Sequence, residues 1–344
     1  MIKWLTIPES TKRNAYNQIA EKRGMSPFAV EKDWWVMQTL TAIFEMEIAR
    51  HLIFKGGTSL SKAWKLIERF SEDIDLVIDR EYFGYPGALS KKEITNLRKE
   101  AGEYTSGKFF GELQIRLANK GFTDLIFKLL DAVDSDQDPR IIEIYYPHVV
   151  DPPGYLDARV QIEIGCRSLR EPNTVKSFNS LLDEEYPESD FAQPPVSIPV
   201  VNPERTFLEK IFLLHEEFHR PPHKIRVNRL SRHLYDVVKL SKTEFADIAL
   251  ADPVLYTTIV EHRHKFTRVS GVDYNLLQPQ TVDPIPIPEV MEAWRADYNK
   301  MIEEMFYEEN PPTFDQIVSE LTQLKNRINA MPWKIEIQFP IHKP

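Results

Sequence analysis

Cysteine is almost absent from this chain of 344 residues, in which Cys166 is the single one. No disulfide can form within the chain, and Cys166, next to a predicted strand, is expected to be a buried thiol. The nine histidines are scattered and show no zinc-ligand spacing. No run of 18 apolar residues occurs and no basic-then-apolar leader opens the sequence, so we expect neither membrane insertion nor secretion. The expected location is the cytoplasm, where a lone thiol stays reduced.

A net positive charge is also lacking, because 43 Lys and Arg residues stand against 52 Asp and Glu residues, a formal charge of −9. This balance argues against a surface that coats nucleic acid without specificity. The segment between His219 and Lys239 is different, with one acid, Asp236, and six basic residues, namely Arg220, Lys224, Arg226, Arg229, Arg232 and Lys239. Binding of a phosphate backbone and a solvated basic helix both explain this basic segment.

Glycine is scarce, with 12 in the chain, yet two are adjacent at Gly56-Gly57. The apolar run Leu52–Phe54 stops there, which predicts a strand followed by a sharp turn whose N–H groups can approach a ligand. Apolar residues then recur at helical spacing, namely Leu60, Ala63, Trp64 and Ile67. We expect a helix capped by Thr58 or Ser59 that ends near Phe70, with its positive dipole end facing a phosphate.

The strand predicted after this helix carries two aspartates on one face. Asp73 and Asp75 alternate with apolar residues, namely Ile74, Leu76 and Ile78, as in a half-buried strand. Their α-carbons should lie about 7 Å apart, so both carboxylates can reach one or two Mg²⁺ or Mn²⁺ ions that also bind triphosphate oxygens. A solvated strand edge would show the same short pattern, and the order of the elements favours the metal and nucleotide site.

A lysine in the second half of the chain has unusual surroundings. A long amphipathic helix is predicted from Pro203, and Lys210 lies on it among apolar residues one turn away. An ammonium there requires an anion, which a triphosphate or a core acid could provide, unless the side chain reaches water. Asp236 follows Arg232 by one helical turn, so a surface ion pair and a role in orienting Lys210 or a substrate hydroxyl both remain open.

Five segments in this order resemble the motifs of AbiEii-type nucleotidyltransferase toxins, which include the mycobacterial MenT toxins. The segments span residues 30 to 240 and are EKDWWVMQTL, FKGGTSLSK, RFSEDIDL, ERTFLEK and RHLYDVVKL. The resemblance implies an α+β fold with a polymerase-β-like nucleotidyltransferase core and a mainly α-helical C-terminal domain. It implies transfer of a nucleotide from an NTP to an RNA, often the 3′ end of tRNA, by a toxin of a toxin–antitoxin or phage-defence system. A cognate antitoxin encoded alongside is implied as a partner.

By the same resemblance the motif residues take on roles in this sequence. Gly56, Gly57, Thr58 and Ser59 match the phosphate turn, with Lys62 and Arg69 as further nucleotide-binding candidates. Asp73 and Asp75 match the metal-binding acids. Lys210 and Asp236 match the later lysine and aspartate motifs. The interval from Gly57 to Asp73 is longer than in the general nucleotidyltransferase pattern.

A third acid is customary in this fold on a later strand, where it completes the metal site or deprotonates the acceptor hydroxyl. Glu163 is our candidate, because it projects from one face of the alternating strand Val160–Ile164. A cross-strand ion pair is the competing interpretation. Arg69, Arg167 and Arg205 could clamp phosphate oxygens in a forked geometry, or form surface pairs.

Length and proline content predict two domains. The proline-rich stretch around residues 193–203 separates a nucleotidyltransferase domain, residues 1–200, from a mainly helical domain, residues 201–344. Other expected elements are a helix from Ser26 to about Arg50, helices at Lys91–Thr105, Gly111–Ala118 and Phe314–Ala330, and a last strand at Trp333–Phe339.

Three other functions share parts of this pattern. A glycosyltransferase also uses an Asp-x-Asp to bind a metal and a nucleotide sugar. A nucleotidyltransferase of the same fold could act on a protein hydroxyl instead of RNA. An inactive member could remain as a partner-binding module, although the intact glycines, aspartates and lysine argue against decay.

Overall fold

The chain has a mixed α+β fold, as predicted, in a computed structural model that describes residues 2–134, 137–152, 157–166 and 171–340. It divides into two compact units, Met1–Val201 and Asn202–Pro344. The first unit contains the sheet, and the second is built from helices in the part of the chain that is described.

The first unit is organised around a seven-stranded mixed sheet. Its strands are β1 (Leu52–Lys55), β2 (Asp73–Ile78), β3 (Ile126–Leu129), β4 (Arg140–Tyr145), β5 (Arg159–Gly165), β6 (Asn173–Phe178) and β7 (Val196–Val201). The spatial order is β3-β4-β5-β2-β1-β7-β6. β2 runs parallel to β5 and antiparallel to β1, and β1 runs parallel to β7. β2, which carries the predicted acids, therefore lies in the interior of the sheet.

The described part of this unit also contains helices. They are α1 (Glu9–Arg23), α2 (Pro27–Phe44), α3 (Gly56–Thr58, continued as a π-helix over Ser59–Ala63), α4 (Lys91–Tyr104), α5 (Phe110–Asn119) and α6 (Leu181–Glu185). Short 3₁₀ turns occur at Lys3–Thr6, Glu47–His51 and Arg80–Phe83, and a π turn at Thr105–Phe109. The apolar residues of β2 and β5, including Ile74, Leu76 and Ile162, are buried in one core with α2 and α5. Because strand side chains alternate, Asp73, Asp75 and Glu163 lie on the other face.

The helix after the glycine pair is shorter than predicted. It begins at Gly56, with Lys55 as N-cap, and ends at Ala63 instead of near Phe70. Lys65 adopts a left-handed conformation with φ 54°, and the Leu66 N–H bonds to the Leu60 carbonyl at 2.9 Å. This bond joins residues six positions apart, and the left-handed residue just before it ends the helix in the manner of a Schellman motif, at a position that glycine normally marks in a sequence. Lysine occupies that position here. Apolar residues at helical spacing therefore continue in the sequence beyond Ala63, where the helix ends.

α2 begins where the sequence predicted, and the Ser26 hydroxyl accepts a bond from the Ala29 N–H. It ends at Phe44 rather than near Arg50. Met46 turns to an extended conformation and the chain continues as a 3₁₀ turn that buries Ile48 before entering β1. The predicted helices near residues 91–105 and 111–118 are present as α4 and α5, and Cys166 is buried as expected.

The second unit contains the helices α7 (Pro203–Phe218), α8 (Arg232–Ser241), α9 (Glu244–Leu250), α10 (Pro253–His262), α11 (Met291–Met305) and α12 (Phe314–Asn329). Short turns occur at Pro222–Lys224, Arg263–Thr267 and Tyr274–Leu277. α7 and α12 confirm the two helices predicted here. Across the described residues, no helix combines the length and the apolar content that crossing a bilayer requires.

The strand predicted at Trp333–Phe339 is wrong, although the segment does bury alternate residues. Ile335 and Phe339 are buried while Ile337 is exposed. Two side-chain amides satisfy its backbone in place of a partner strand. Gln278 bonds both the N–H and the carbonyl of Ile335, and Asn275 does the same for Phe339, at 2.7–2.9 Å. Alternation alone did not distinguish this arrangement from a sheet.

Candidate active site

The two aspartates of β2 lie against the glycine turn at the end of β1. Gly56 has φ +78°, and a Cβ built on it would fall 1.8 Å from Oδ2 of Asp75. Only glycine fits here, because the backbone is left-handed and the carboxylate occupies the place of a side chain. Asp73 and Asp75 are both partly exposed, two residues apart on the same strand face.

The second glycine of the turn leaves room for an arginine. A Cβ on Gly57 would lie 2.6 Å from the Ser71 hydroxyl and 2.9 Å from Nη2 of Arg69. The Arg69 side chain is buried, and its Nη1 donates to the Phe70 carbonyl at 3.2 Å. Arg69 therefore packs directly under the turn.

The two hydroxyls of the phosphate-turn motif point into the fold. Thr58 Oγ1 lies 2.6 Å from the Asp73 carbonyl oxygen, to which it donates, and 3.0 Å from the Ser71 hydroxyl. Ser59 Oγ donates to the Gly56 carbonyl at 2.9 Å. Both residues are buried. Thr58 thus joins the turn to the first acid of β2, and Ser59 closes the turn on itself.

Glu163 stands beside Asp75 on the neighbouring parallel strand. The sheet register pairs Asp73 with Gln161 and Asp75 with Glu163, and on the other side pairs Asp75 with Lys55. Residues on one rung point to the same face, about 4.8 Å apart between strands. Three carboxylates and the lysine of β1 therefore share this face. Sequence reasoning missed Lys55, although it directly precedes the glycine pair.

The carboxylate oxygens on this face are suitable ligands for a hard divalent cation. Carboxylate oxygens are the ligands that Mg²⁺ and Mn²⁺ prefer, and Gly56 leaves the space that the Asp75 carboxylate fills. In the ranges that the structure describes, no three Asp, Glu, His or Cys side chains are close enough to enclose a metal ion by themselves. A cation would rest on one or two carboxylates and complete its shell with water and phosphate oxygens, as Mg²⁺ commonly does.

Three consecutive charged residues of α2 are buried, namely Glu31, Lys32 and Asp33. Glu31 accepts the N–H groups of Val149 and Val150, both at 2.9 Å. Lys32 forms a buried ion pair with Glu72, the residue before Asp73, and donates to the Asp157 carbonyl at 2.8 Å. Burial lowers the pKa of Lys32, an effect that the charge of Glu72 opposes.

The third of these residues, Asp33, holds the helix that follows the glycine turn. Its Oδ1 lies 2.6 Å from Nζ of Lys62, and its Oδ2 accepts the Leu181 N–H at 2.7 Å. The ammonium of Lys62 is therefore tied to α2. The signal for these contacts was in the sequence: three successive charges, EKD, interrupt a helix that is otherwise almost entirely buried.

Within the second unit, the structure brings Lys210 and Asp236 together. Lys210 Nζ lies 2.9 Å from Asp236 Oδ2 and 3.2 Å from Nδ1 of His233. Asp236 is fully buried, which excludes the expected alternative of a surface pair. An ammonium only donates, so Nδ1 of His233 accepts and a neutral ring carries its proton on Nε2. Sequence reasoning missed His233.

Acidic side chains of the second unit neutralise part of the charge of the basic segment. Glu217 pairs with Arg220 at 3.2 Å and with Arg226 at 2.7 Å. Lys239 pairs with Glu308 at 3.0 Å. At least three of its six cations therefore have acidic partners within the unit, which weakens the expected attraction for a phosphate backbone.

Arg205 and Arg167 are the two other arginines predicted to clamp phosphate oxygens. Arg205 pairs with Glu209 one turn along α7, at 3.0 Å. Arg167 lies outside the described residues.

Comparison with known proteins gives one family. The family described as "Nucleotidyl transferase AbiEii toxin, Type IV TA system" matches residues 38–320. Among solved structures, the chain is similar to MenT4, a nucleotidyltransferase toxin from Mycobacterium tuberculosis H37Rv, with 16% identity over 94% of this chain and 98% of that one, at a TM-score of 0.44. It is also similar to a putative nucleotidyltransferase from H. pylori, with 13% identity over 89% and 96% of the chains and a TM-score of 0.42. No curated protein matches it.

Proposed function

The chain belongs to the AbiEii family of nucleotidyltransferase toxins, and from that premise we propose that it transfers a nucleotide from an NTP to RNA, with the 3′ end of tRNA as acceptor. The observation that carries the proposal is the placement of Asp73, Asp75 and Glu163 on one sheet face, with Asp75 against the glycine turn. Such a face can gather phosphate oxygens, a cation and an attacking hydroxyl in one place.

The turn is the proposed phosphate site. The Thr58 and Ser59 hydroxyls bond within the fold, so these residues would offer backbone N–H groups at the start of the helix rather than their side chains. Arg69 lies directly under Gly57 and would add positive charge beneath the phosphates. Lys62 would hold the helix after the glycine turn in place through its ion pair with Asp33. If that pair opens, Lys62 would instead bind phosphate.

Asp73 and Asp75 are the proposed ligands of Mg²⁺ or Mn²⁺. A divalent cation bound there supplies neutralisation of triphosphate charge and alignment of the reacting oxygens. Glu163 would share a cation with Asp75, its neighbour in the sheet register, or accept the proton of the acceptor hydroxyl. Lys210, oriented by Asp236, would neutralise the charge that develops on departing pyrophosphate.

The proposal has consequences for the cell. Expression of the protein alone should stop growth or block phage propagation, and a cognate antitoxin encoded alongside should prevent this. We propose that the enzyme works in the cytoplasm, where NTPs and tRNA are both abundant.

The direct experiment incubates purified protein with Mg²⁺, each labelled NTP in turn and total RNA. Label should enter RNA with at least one NTP, and mass spectrometry of RNA ends should identify the acceptor and the number of nucleotides added. Asp73→Asn should abolish labelling. Asp190→Asn, which removes an aspartate charge at a side chain 95% exposed, is the matched control and should label normally.

Other outcomes would redirect or end the proposal. Label in protein instead of RNA would favour a hydroxyl-bearing side chain as acceptor. Nucleotide binding without transfer to either fraction would favour an inactive partner-binding module. Turnover of UDP-sugars without use of any NTP would indicate a glycosyltransferase.

A further inference from the structure

A continuous chain of three hydrogen bonds and one ion pair leads to Glu163 along the site face of β4 and β5. The Tyr145 hydroxyl donates to Glu143 Oε2 at 2.8 Å, and Arg159 Nη1 lies 3.1 Å from Glu143 Oε1. The same Arg159 nitrogen donates to Gln161 Oε1 at 2.5 Å. Gln161 Nε2 then donates to Glu163 Oε1 at 2.9 Å. We call these five residues the polar ladder.

The chemistry of the ladder fixes which way the Gln161 amide faces. An arginine side chain only donates hydrogen bonds, so the amide oxygen must face Arg159. The amide nitrogen is then directed at Glu163, whose carboxylate accepts. Reversing the amide would set two donors against each other at Arg159. The arginine therefore determines the hydrogen bond that Glu163 receives, two residues further along the strand.

The sheet register gives Gln161 a second property. One rung contains Glu143, Gln161 and Asp73 on three adjacent strands. Gln161 is thus a neutral residue between two carboxylates, and its donor reaches a third. A carboxylate at this position would stand among three like charges, each of which would resist its ionisation.

We propose that Gln161 is a positioning residue that holds Glu163 toward Asp75, so that both carboxylates face one divalent cation. Arg159 in turn sets the amide of Gln161. The inference rests on the proposed function, in which Glu163 is the third acid of the site. Hydrogen-bonded partners of metal-binding carboxylates have this effect in general, and their loss costs about 10- to 100-fold in metal affinity or activity.

Two substitutions separate positioning from a general structural role. Gln161→Met keeps the length of the side chain and removes its donor and acceptor. Gln161→Glu keeps an acceptor for Arg159 but turns an anion toward Glu163. If Gln161 mattered only by anchoring Arg159, Gln161→Glu would be as active as the wild type. Positioning of Glu163 requires the opposite, namely that Gln161→Glu is at least as impaired as Gln161→Met.

The first measurement is Mn²⁺ binding to the full-length protein by electron paramagnetic resonance, which needs no turnover. We expect Gln161→Met to weaken Mn²⁺ binding about tenfold. Glu163→Gln should weaken it at least as much, and the double variant no further than Glu163→Gln alone, because both changes remove one effect. Gln18→Met is the matched control, since it also removes one hydrogen bond, from the Tyr186 hydroxyl at 2.7 Å, outside the site.

The second measurement is transfer to RNA, where kcat should fall about tenfold or more in Gln161→Met with little change in the KM for NTP. Unchanged Mn²⁺ binding in Gln161→Met, or a double variant that is additive, would overturn the assignment. The two proposals fail separately. If the wild type transfers nothing but Gln161→Met and Glu163→Gln weaken Mn²⁺ binding non-additively, the proposed function is wrong and the role of Gln161 stands.

Discussion

The carboxylate of Asp75 occupies the space that a side chain at Gly56 would need, with Oδ2 placed 1.8 Å from an ideal Cβ. The glycine turn and the acidic strand are therefore in direct contact, and the position of one depends on the other. A residue with a side chain at position 56 must displace either the turn or the acid. This relationship links the residue proposed to bind phosphate with a residue proposed to bind metal.

Gly56→Ala should remove most of the activity. The substitution requires a left-handed alanine, at a cost of about 1–2 kcal/mol, and drives Asp75 from its position. A displacement of about 1 Å among reacting groups can lower a rate about 100-fold. Nucleotide transfer to RNA and the midpoint of thermal unfolding, measured on the same preparation, test both effects.

Gly84→Ala provides the control, because Gly84 has the same φ of +78° and an ideal Cβ placed on it would meet nothing within 4 Å. It should be less stable by about 1–2 kcal/mol from backbone strain alone and should transfer nucleotides at the wild-type rate. Equal rates in the two variants would show that the contact with Asp75 has no part in activity.

The sequence allowed the acidic strand and its buried face to be predicted, because aspartates and apolar residues alternate from Asp73 to Leu76. It did not show where the following helix ends, since Lys65 takes a backbone conformation that glycine usually signals. The contact of Lys32 with Glu72 joins residues 40 positions apart, and no local pattern contains that information. The bonds from the Gln278 and Asn275 amides to Ile335 and Phe339 also join residues far apart in the sequence. No local pattern could therefore show that these amides take the place of a partner strand.

The buried pair of Lys32 and Glu72 should be sensitive to loss of either partner. Lys32→Met removes the Lys32 ammonium from the buried Glu72 carboxylate and should reduce the free energy of unfolding by about 3–5 kcal/mol. Activity should also fall, because Glu72 directly precedes Asp73. The double variant Lys32→Met/Glu72→Leu should be more stable than either single variant. Urea unfolding of the four proteins measures these differences.

The exposed pair of Lys22 and Glu185 is the comparison for that experiment. Its atoms are 2.6 Å apart, but the Lys22 side chain is 64% exposed. Lys22→Met should change the free energy of unfolding by less than about 1 kcal/mol. A similarly small change in Lys32→Met would mean that the Lys32 ammonium is not required for stability.

The pair of Lys210 and Asp236 has two explanations that one double variant separates. Either single apolar substitution should destabilise the protein, because it removes the opposite charge from a buried ion. Lys210→Met/Asp236→Leu should recover stability over the single variants. If Lys210 acts on the leaving pyrophosphate, the double variant remains inactive in transfer. Recovery of transfer together with stability would show that the pair serves only the core of the second unit.

His215 should make stability depend on pH in the mildly acidic range. Burial lowers the pKa of His215 well below its usual value of 6.5, and the stacked ring of His219 lowers it further. The unfolded chain then binds a proton below about pH 6.5 that the folded protein does not. The contribution of His215 to the free energy of unfolding is therefore fully present above that pH. Below it, the free energy of unfolding should fall by up to about 1.4 kcal/mol per pH unit.

The substitution His215→Asn tests this prediction, because the amide oxygen can still accept the Asp283 N–H that Nδ1 binds at 2.9 Å but does not titrate. The loss of stability between pH 7.5 and 5.5, followed by urea unfolding, should be smaller in this variant than in the wild type. His223→Asn removes an exposed imidazole and should leave the pH dependence as it is. An unchanged slope in His215→Asn would mean that the buried ring takes up its proton without unfolding.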